Sequence, residues 1–292
     1  MYSVNKELII RSSSEAVDFA LLKDGKLIEL HKEQETSNFQ VGDIFIAKIR
    51  KPVAGLNAAF VNVGYEKDAF LHYHDLGPNL ASQLKFIKLV SAGKIKDFSL
   101  KNFQFEKEID KDGTITDVLN ANQSVLVQVV KEPISTKGPR ISAELSLAGR
   151  FIVLVPFSDR VSISQKIEDK KEKDRLKKLV QSIKPKGFGV IVRTVAEGKN
   201  TAELEKDLQN LLSRWTAMCK KLPTAHHPSK VLGELNRASS ILRDVFNDTF
   251  SGIQIDDEEL YQQTKDYLQE IAPSKQSIVK FYQSKDTPIF EK

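Results

Sequence analysis

The chain has little cysteine and no long hydrophobic run. Cys219 is the single cysteine among 292 residues, so an internal disulfide and any metal site that needs several thiolates are excluded. No segment reaches the ~18 consecutive apolar residues of a membrane-spanning helix, and the first residues lack the basic start and apolar core of a signal peptide. These absences predict a cytoplasmic protein without a membrane segment.

A strong excess of charge of one sign is also missing. The 44 basic and 39 acidic residues leave a net charge of +5 and a pI near 9.0, which favours a polyanionic partner without identifying it. With 40% hydrophobic and 28% charged residues, the composition is that of a globular protein, and its length allows two or more hydrophobic cores.

Residues 41–76 have the pattern of a small β-barrel. The expected apolar face of the first strand consists of Ile44, Ile46 and Ile49. Gly55 allows a turn into a second strand over residues 58–64, and residues 123–130 supply a closing strand. This order resembles the RNA-binding OB-fold module of a ribosomal protein, which binds single strands on surface aromatics beside a basic groove.

Two phenylalanines lie centrally in the predicted barrel strands. Phe60 and Phe70 are candidate platforms for stacked bases, each worth about 1–3 kcal/mol of binding. The alternative is that both rings fill the barrel interior, and the alternation of residues leaves both interpretations open.

The rest of the chain predicts mixed α and β structure. Residues 17–22 and 27–31 form a hairpin through Asp24-Gly25, and the insert 80–114 has helical spacing followed by alternation around Phe103 and Phe105. A compact α/β unit follows the barrel. It contains strand 151–155, helix 168–183, strand 190–194 and a long helix whose cap we expect at Asn200, because Glu203 has the spacing of a reciprocal cap.

The last 70 residues predict helix 230–246, strand 252–255, helix 257–271 and strand 277–282. They are too few for a separate large core, so we expect them to pack on the N-terminal strands as one discontinuous α/β domain. The polar linker that contains His226-His227 then marks a crossing between domains.

Three further clusters suggest sites but have simpler explanations. His72 and His74 are too few for a metal site without a third ligand and are expected at the surface. The acidic residues 256–259 suit the start of helix 257–271, where carboxylates satisfy free N–H groups. The mixed charges of residues 170–178 predict a solvated helix face.

Three motifs together resemble the N-terminal half of the bacterial ribonuclease E/G family over nearly the whole chain. They are residues 56–64, residues 137–140 with 145–150, and residues 189–194 with Gly198-Lys199. The resemblance implies an α+β multidomain fold in which a discontinuous ribonuclease H-like α/β domain (1–37 and 223–292) carries an OB-fold barrel (38–130) and a small α/β 5′-sensor domain (131–222).

The same resemblance implies site residues. Phe60, Phe70, Lys131 and Lys137 match barrel positions that contact single-stranded RNA, Arg193 and Thr194 match the pair that holds the RNA's terminal 5′-monophosphate, and Gly149 and Val153 match positions that line that pocket. A guanidinium suits phosphate because it binds as a bidentate fork. Without the resemblance, Arg193 equally fits a surface arginine paired with a neighbouring acid.

The implied function is the RNA-binding, 5′-monophosphate-sensing part of an endoribonuclease that acts in RNA processing, including rRNA processing, and decay. Family members cleave with Mg²⁺ held in a following deoxyribonuclease I-like domain and form homo-oligomers through a structural Zn²⁺ site further on. Residues 1–292 contain neither a matching pair of Mg²⁺-binding carboxylates nor a cysteine motif for Zn²⁺. We therefore expect no cofactor and no cleavage from this chain alone. The alternative is a stand-alone RNA-binding or scaffold protein.

Overall fold

The structure is a computed structural model that describes residues 5–13, 16–34, 39–135, 137–247, 249–283 and 287–291. Within these residues the strands are β1 (Lys6–Ser12), β2 (Ala16–Lys23), β3 (Lys26–Gln34), β4 (Ile44–Val53), β5 (Ala58–Asn62), β6 (Ala69–His72), β7 (Ser124–Lys131), β8 (Arg140–Ser142), β9 (Leu147–Ala148), β10 (Ile152–Pro156), β11 (Val161–Ile163), β12 (Phe188–Val192), β13 (Ser229–Leu232), β14 (Phe250–Ile255) and β15 (Val279–Phe281). The helices are α1 (Leu80–Ser91), α2 (Ile115–Val118), α3 (Lys170–Ile183), α4 (Thr201–Lys221), α5 (Arg237–Val245) and α6 (Glu258–Ile271).

The chain divides into two compact units, residues 1–38 with 235–292 and residues 39–234. The predicted boundary between residues 37 and 38 lies outside the described residues. The division places residues 223–234 in the larger unit and not, as predicted, in the discontinuous domain.

The smaller unit is a five-stranded sheet in the order β15-β14-β1-β2-β3. Strands β1, β2 and β3 form an antiparallel meander, while β14 and β15 run parallel to β1 and to each other. Asp24 and Gly25 form the predicted hairpin turn with positive φ at both positions. One sheet face buries its apolar residues against α5 and α6, and the core includes Phe19, Leu242 and Leu268.

The larger unit contains a closed five-stranded barrel. Its strands are joined in the order β4-β5-β6-β8-β7, and β7 pairs back to β4. Only the β6–β8 pair is parallel among these contacts. The overall class is therefore mixed α and β with a barrel consistent with an OB-fold, as predicted.

Strand β4 is buried on both faces. Ile49 points into the barrel with Phe45 and Ala47, whereas Ile44 and Ile46 join a second core outside it. The prediction that the three isoleucines share one face was therefore wrong, because successive strand residues alternate between faces and Ile49 is an odd number of residues from the other two.

The second core of the larger unit lies around a four-stranded sheet in the order β11-β12-β10-β9. Helices α3 and α4 pack their apolar faces onto it, and Asn200 caps α4 with the predicted reciprocal bond from Glu203. Helix α1 and the segment after it contribute Phe86, Phe103 and Phe105 to this core. Insert 80–114 is therefore structured, although no strand forms around Phe103 and Phe105.

One predicted helix boundary was wrong. Residues 230–232 belong to β13, which pairs antiparallel with barrel strand β4, and helix α5 begins only at Arg237 with Asn236 as its cap. A free edge of β4 provides hydrogen-bond partners that helical periodicity in the sequence does not reveal.

Candidate nucleic-acid interface

A row of register partners crosses all five barrel strands. Lys51 pairs with Phe60, Phe60 pairs with Phe70, Phe70 pairs with Arg140, and Arg140 pairs with Lys131. Because register partners share a face of the sheet, these side chains all lie on the outside of the barrel, each beside its register partner. We call this set the cross-barrel row; it places two rings between cationic residues.

The two phenylalanine rings of the row do not fill the barrel. Both are half-buried, while their strand neighbours Ala59, Val61 and Leu71 are fully buried in the interior. The rings of Phe60 and Phe70 meet edge to face, with centroids 6.1 Å apart and planes at 69°. The alternative that they form the barrel core is therefore excluded, and their outer faces are available for contact.

Two histidines continue the line of rings from Phe70. The His72 ring centroid is 6.3 Å from that of Phe70 and 5.1 Å from that of His74. The backbone N–H of His74 donates to Nδ1 of His72 at 3.2 Å, and the intervening Tyr73 is buried with its hydroxyl donating to the Asp110 carbonyl at 2.5 Å. Both histidines lie at the surface as predicted.

The cations of the barrel surface differ in how firmly they are held. Arg140 donates to both carboxylate oxygens of Asp75 at 2.9 and 3.1 Å, which fixes its guanidinium beside Phe70. Lys131 and Lys137 are exposed, Lys131 at the end of β7 and Lys137 in the following loop, where it forms an isolated bridge with Ile134. The structure therefore brings Phe60, Phe70 and Lys131 into one row, with Lys137 on the loop that precedes β8.

The predicted phosphate residues lie where β12 ends. The strand stops at Val192, and Arg193 caps a short 3₁₀ turn, Thr194–Ala196, instead of extending the strand as predicted. The guanidinium Nη1 of Arg193 donates to the Gly149 carbonyl at 2.8 Å. The Thr194 hydroxyl is 2.9 Å from that of Ser164. Arg193, Thr194 and Gly149 therefore meet at one end of the sheet.

Val153 lies on the neighbouring strand. It pairs with Ala148 and Ile191 and is half-buried on the sheet face opposite to the core residues Ile152 and Leu154. Val153 therefore follows the turn that contains Gly149 and lies two residues after Phe151 on the strand. The Phe151 carbonyl accepts the backbone N–H of Arg193 at 2.8 Å.

An acidic residue that no sequence motif indicated lies behind this pocket. The Asp207 carboxylate accepts the backbone N–H groups of Arg150, Phe151 and Ile152 at 3.1, 2.8 and 3.0 Å. Removal from water raises the pKa of Asp207 above its ordinary value, while the three N–H bonds and the charge of Arg193 act in the opposite direction. The sequence feature that could have indicated Asp207 is its position on the apolar side of α4, next to the buried Leu208.

The charged helix face of α3 is less solvated than predicted. Glu172 and Arg175 form a bidentate ion pair at 2.6 Å, and both reach the loop after the Thr194 turn: Gly198 N–H donates to Glu172 at 2.8 Å, and Arg175 donates to the Lys199 carbonyl at 2.9 Å. The Arg175 hydrogen bond lowers the pKa of Glu172 to about 2. This pair fixes the loop beside Arg193 and Thr194.

The acidic cluster of the smaller unit has structural partners. Asp257 caps α6 by accepting the Leu260 N–H at 2.8 Å, as predicted, and Asp256 accepts the Ser12 N–H at 2.7 Å. Among the described residues, no group of three or more histidines, cysteines or acids is arranged to hold a metal ion. Within the same ranges, no helix has the length and apolar character required to cross a membrane.

Comparison with known proteins identifies the family of this chain. The model of the "Ribonuclease E/G family" matches residues 146–292. Ribonuclease G of Escherichia coli (strain K12) is 30% identical over 285 residues, which cover 98% of this chain and 54% of that protein. Ribonuclease G of Haemophilus influenzae is equally similar, with the same coverage.

A relative that aligns over a shorter part of the chain is a ribonuclease E. Ribonuclease E of Nostoc is 33% identical over 235 residues, or 80% of this chain and 30% of that protein. The chain spans about half the length of the ribonuclease G relatives it matches. From the family match and from relatives that align along nearly its whole length, the chain belongs to the ribonuclease E/G family.

Proposed function

We propose that this chain binds single-stranded RNA on the cross-barrel row and senses a 5′-monophosphate at the Arg193–Thr194 pocket. It would thereby serve as the RNA-binding part of an endoribonuclease in RNA processing and decay. The observation that carries the proposal is the cross-barrel row, in which two outward phenylalanine rings lie between cations on a closed barrel. Family membership supports RNA as the polyanion.

The row has the chemistry of a single-strand site. Every nucleotide base has a π-face, so the rings of Phe60 and Phe70 can stack on bases of any sequence. Lys51 is the register partner of Phe60, and Lys51, Lys131 and Lys137 are exposed cations that suit the phosphates between stacked bases. The predicted barrel residues therefore have complementary roles, stacking for the rings and charge neutralisation for the lysines.

The pocket has the chemistry of a phosphate site. In Arg193, Nη1 of the guanidinium binds the Gly149 carbonyl, and a guanidinium is a planar fork of N–H donors whose geometry matches that of a phosphate. The Thr194 hydroxyl adds a donor, Gly149 forms the backbone wall, and Val153 supplies an apolar neighbour. A compact wall of this kind would favour a monophosphate over a longer phosphate chain.

The wider architecture supports the same proposal. An antiparallel meander beside two parallel strands, with helices on one face, suits a ribonuclease H-like domain over residues 1–38 and 235–292. The β9–β12 sheet with α3 and α4 suits a 5′-sensor domain within residues 131–222. We propose no Mg²⁺ or structural Zn²⁺ site for the described residues, and we propose phosphodiester hydrolysis and homo-oligomer formation only for the longer proteins of the family.

The test compares RNA ligands with the wild-type chain. Fluorescently labelled oligonucleotides of one sequence would carry a 5′-monophosphate or a 5′-hydroxyl, each single-stranded or annealed to a complement. We expect single strands to bind more tightly than duplexes, affinity to fall with salt, and the monophosphate to add affinity. Equal binding of single strands and duplexes would contradict the barrel assignment, and equal binding of the two 5′ ends would contradict the sensor assignment.

A further inference from the structure

The turn between β9 and β10 is held by two opposite charges. Asp207, on α4, accepts three consecutive backbone N–H groups of this turn, those of residues 150, 151 and 152. Arg193, at the end of β12, donates its Nη1 to the Gly149 carbonyl and its backbone N–H to the Phe151 carbonyl, both at 2.8 Å. The Asp207 carboxylate therefore binds the N–H donors of this short segment, and Arg193 binds two of its carbonyls, one through the guanidinium and one through the backbone.

Gly149 is adapted to the carboxylate. A Cβ atom at this position would lie 2.6 and 2.7 Å from the two oxygens of Asp207, closer than real Cβ contacts allow. Glycine therefore lets the carboxylate approach the turn closely. The backbone wall that the phosphate pocket requires at Gly149 depends in this way on a side chain from α4.

Asp207 also suits this place chemically. Three neighbouring N–H groups form a concave site for an anion, and a carboxylate offers two acceptor oxygens with about four lone-pair positions. An asparagine would offer one oxygen and would direct its own N–H groups at the remaining donors. Of aspartate and asparagine, only the ionised aspartate can accept all three N–H groups.

We propose that Asp207 is a positioning residue for the 5′-phosphate pocket: by holding the turn at residues 149–152, it sets the place and orientation of the Arg193 guanidinium. The proposal rests on the proposed function, because it concerns the same pocket. It assigns Asp207 no contact with the RNA. Its effect passes through Gly149, whose carbonyl Arg193 binds, and is supported by the opposite charges of Asp207 and Arg193.

The experiment measures the ratio of affinities for 5′-monophosphate and 5′-hydroxyl RNA in the full chain. Asp207→Asn should reduce this ratio by about tenfold, because a turn whose N–H groups lose their partners shifts and no longer holds the Arg193 guanidinium in place, while affinity for the hydroxyl-ended RNA stays near wild type. Asp159→Asn is the matched control. Asp159 also accepts a backbone N–H, that of Gly187 at 2.9 Å, but it follows the opposite end of β10, so its ratio should equal that of wild type.

A double-mutant cycle separates positioning from general loss of structure. If Asp207 acts through Arg193, then Asp207→Asn should change the ratio little when Arg193→Lys is already present. A wild-type ratio in folded Asp207→Asn would overturn the proposal, as would an effect that is the same in both backgrounds. Should Asp207→Asn fail to fold, Asp207→Glu decides: its displaced oxygens should still lower the ratio, and a wild-type ratio would overturn the proposal.

The wild-type measurement distinguishes the positioning role of Asp207 from the proposed sensor function of the pocket. A wild-type ratio near one would refute the sensor function itself, whatever Asp207 does. A wild-type preference for the monophosphate that survives Asp207→Asn would refute only the positioning role.

Discussion

Phe60 and Phe70 lie directly opposite each other on neighbouring barrel strands, with ring centroids 6.1 Å apart. Their strand neighbours Val61 and Leu71 are fully buried, so the alternation of the strands separates a barrel core from an outer aromatic pair. This separation allows the outer rings to be changed without opening the core.

Replacement of either ring should therefore weaken RNA binding more than folding. We expect Phe60→Ala or Phe70→Ala to cost about 1–3 kcal/mol of single-strand affinity, as measured by fluorescence anisotropy, with a small change in the free energy of unfolding. Leu71→Ala is the control: loss of this fully buried side chain should lower stability by about 2–5 kcal/mol. If the ring variants unfold while their folded fraction binds normally, the rings are structural.

Local signals in the sequence predicted the elements that depend on local chemistry. The hairpin at Asp24-Gly25 forms because both residues tolerate positive φ. The start of α4 at Asn200 follows from a reciprocal cap with Glu203. Asp257 caps α6 because the first N–H groups of a helix have no partner within the helix, and its carboxylate accepts one of them, that of Leu260. In each case the partners lie within a few residues of each other.

The features that sequence reasoning missed depend on distant partners. Strand β13 exists because Ser229 and Lys230 pair with β4, far away in the chain. Asp207 binds a turn more than 50 residues earlier, as the 57-residue separation from Arg150 shows. Neither partner leaves a periodic pattern near the residue concerned, so only the folded chain reveals the connection.

Arg193→Lys tests whether the pocket reads phosphate or only charge. The lysine keeps the positive charge but loses the planar fork, so affinity for 5′-monophosphate RNA should fall by about 1–3 kcal/mol, the worth of a charge-assisted hydrogen bond, while affinity for hydroxyl-ended RNA should change little. Titration of both ligands against both proteins measures this difference. Equal losses for the two ligands would show that Arg193 contributes only to a basic surface.

The acidic residues of the smaller unit should support folding and not cleavage. Asp257→Ala removes the cap of α6 and should lower the free energy of unfolding by about 1 kcal/mol, whereas Asp257→Asn keeps an acceptor and should lose only a few tenths. Labelled RNA incubated with this chain and Mg²⁺ should remain intact. Cleavage that disappears on mutation of Asp256 or Asp257 would contradict the structural role of these residues.

The Glu172–Arg175 pair predicts a stability that depends on pH. The Arg175 hydrogen bond lowers the pKa of Glu172 from its ordinary value of 4.5 to about 2, with help from the Gly198 N–H and against the cost of desolvation. Because the pKa is lower in the folded state, the ionised pair stabilises the fold above about pH 4.5, and this contribution is lost as the pH falls towards 2.

Glu172→Gln should therefore destabilise the protein only where wild-type Glu172 is ionised. We expect a loss of about 1–2 kcal/mol at pH 7, modest because the pair is partly solvated, and a loss that shrinks as the pH falls from 4.5 towards 2. Urea unfolding of both proteins across this range measures the difference. Asp174→Asn, at an exposed position of the same helix, should stay within about 0.5 kcal/mol of wild type throughout. A Glu172→Gln deficit that stays constant with pH would mean that shape, and not the ionised carboxylate, fixes the loop beside Arg193.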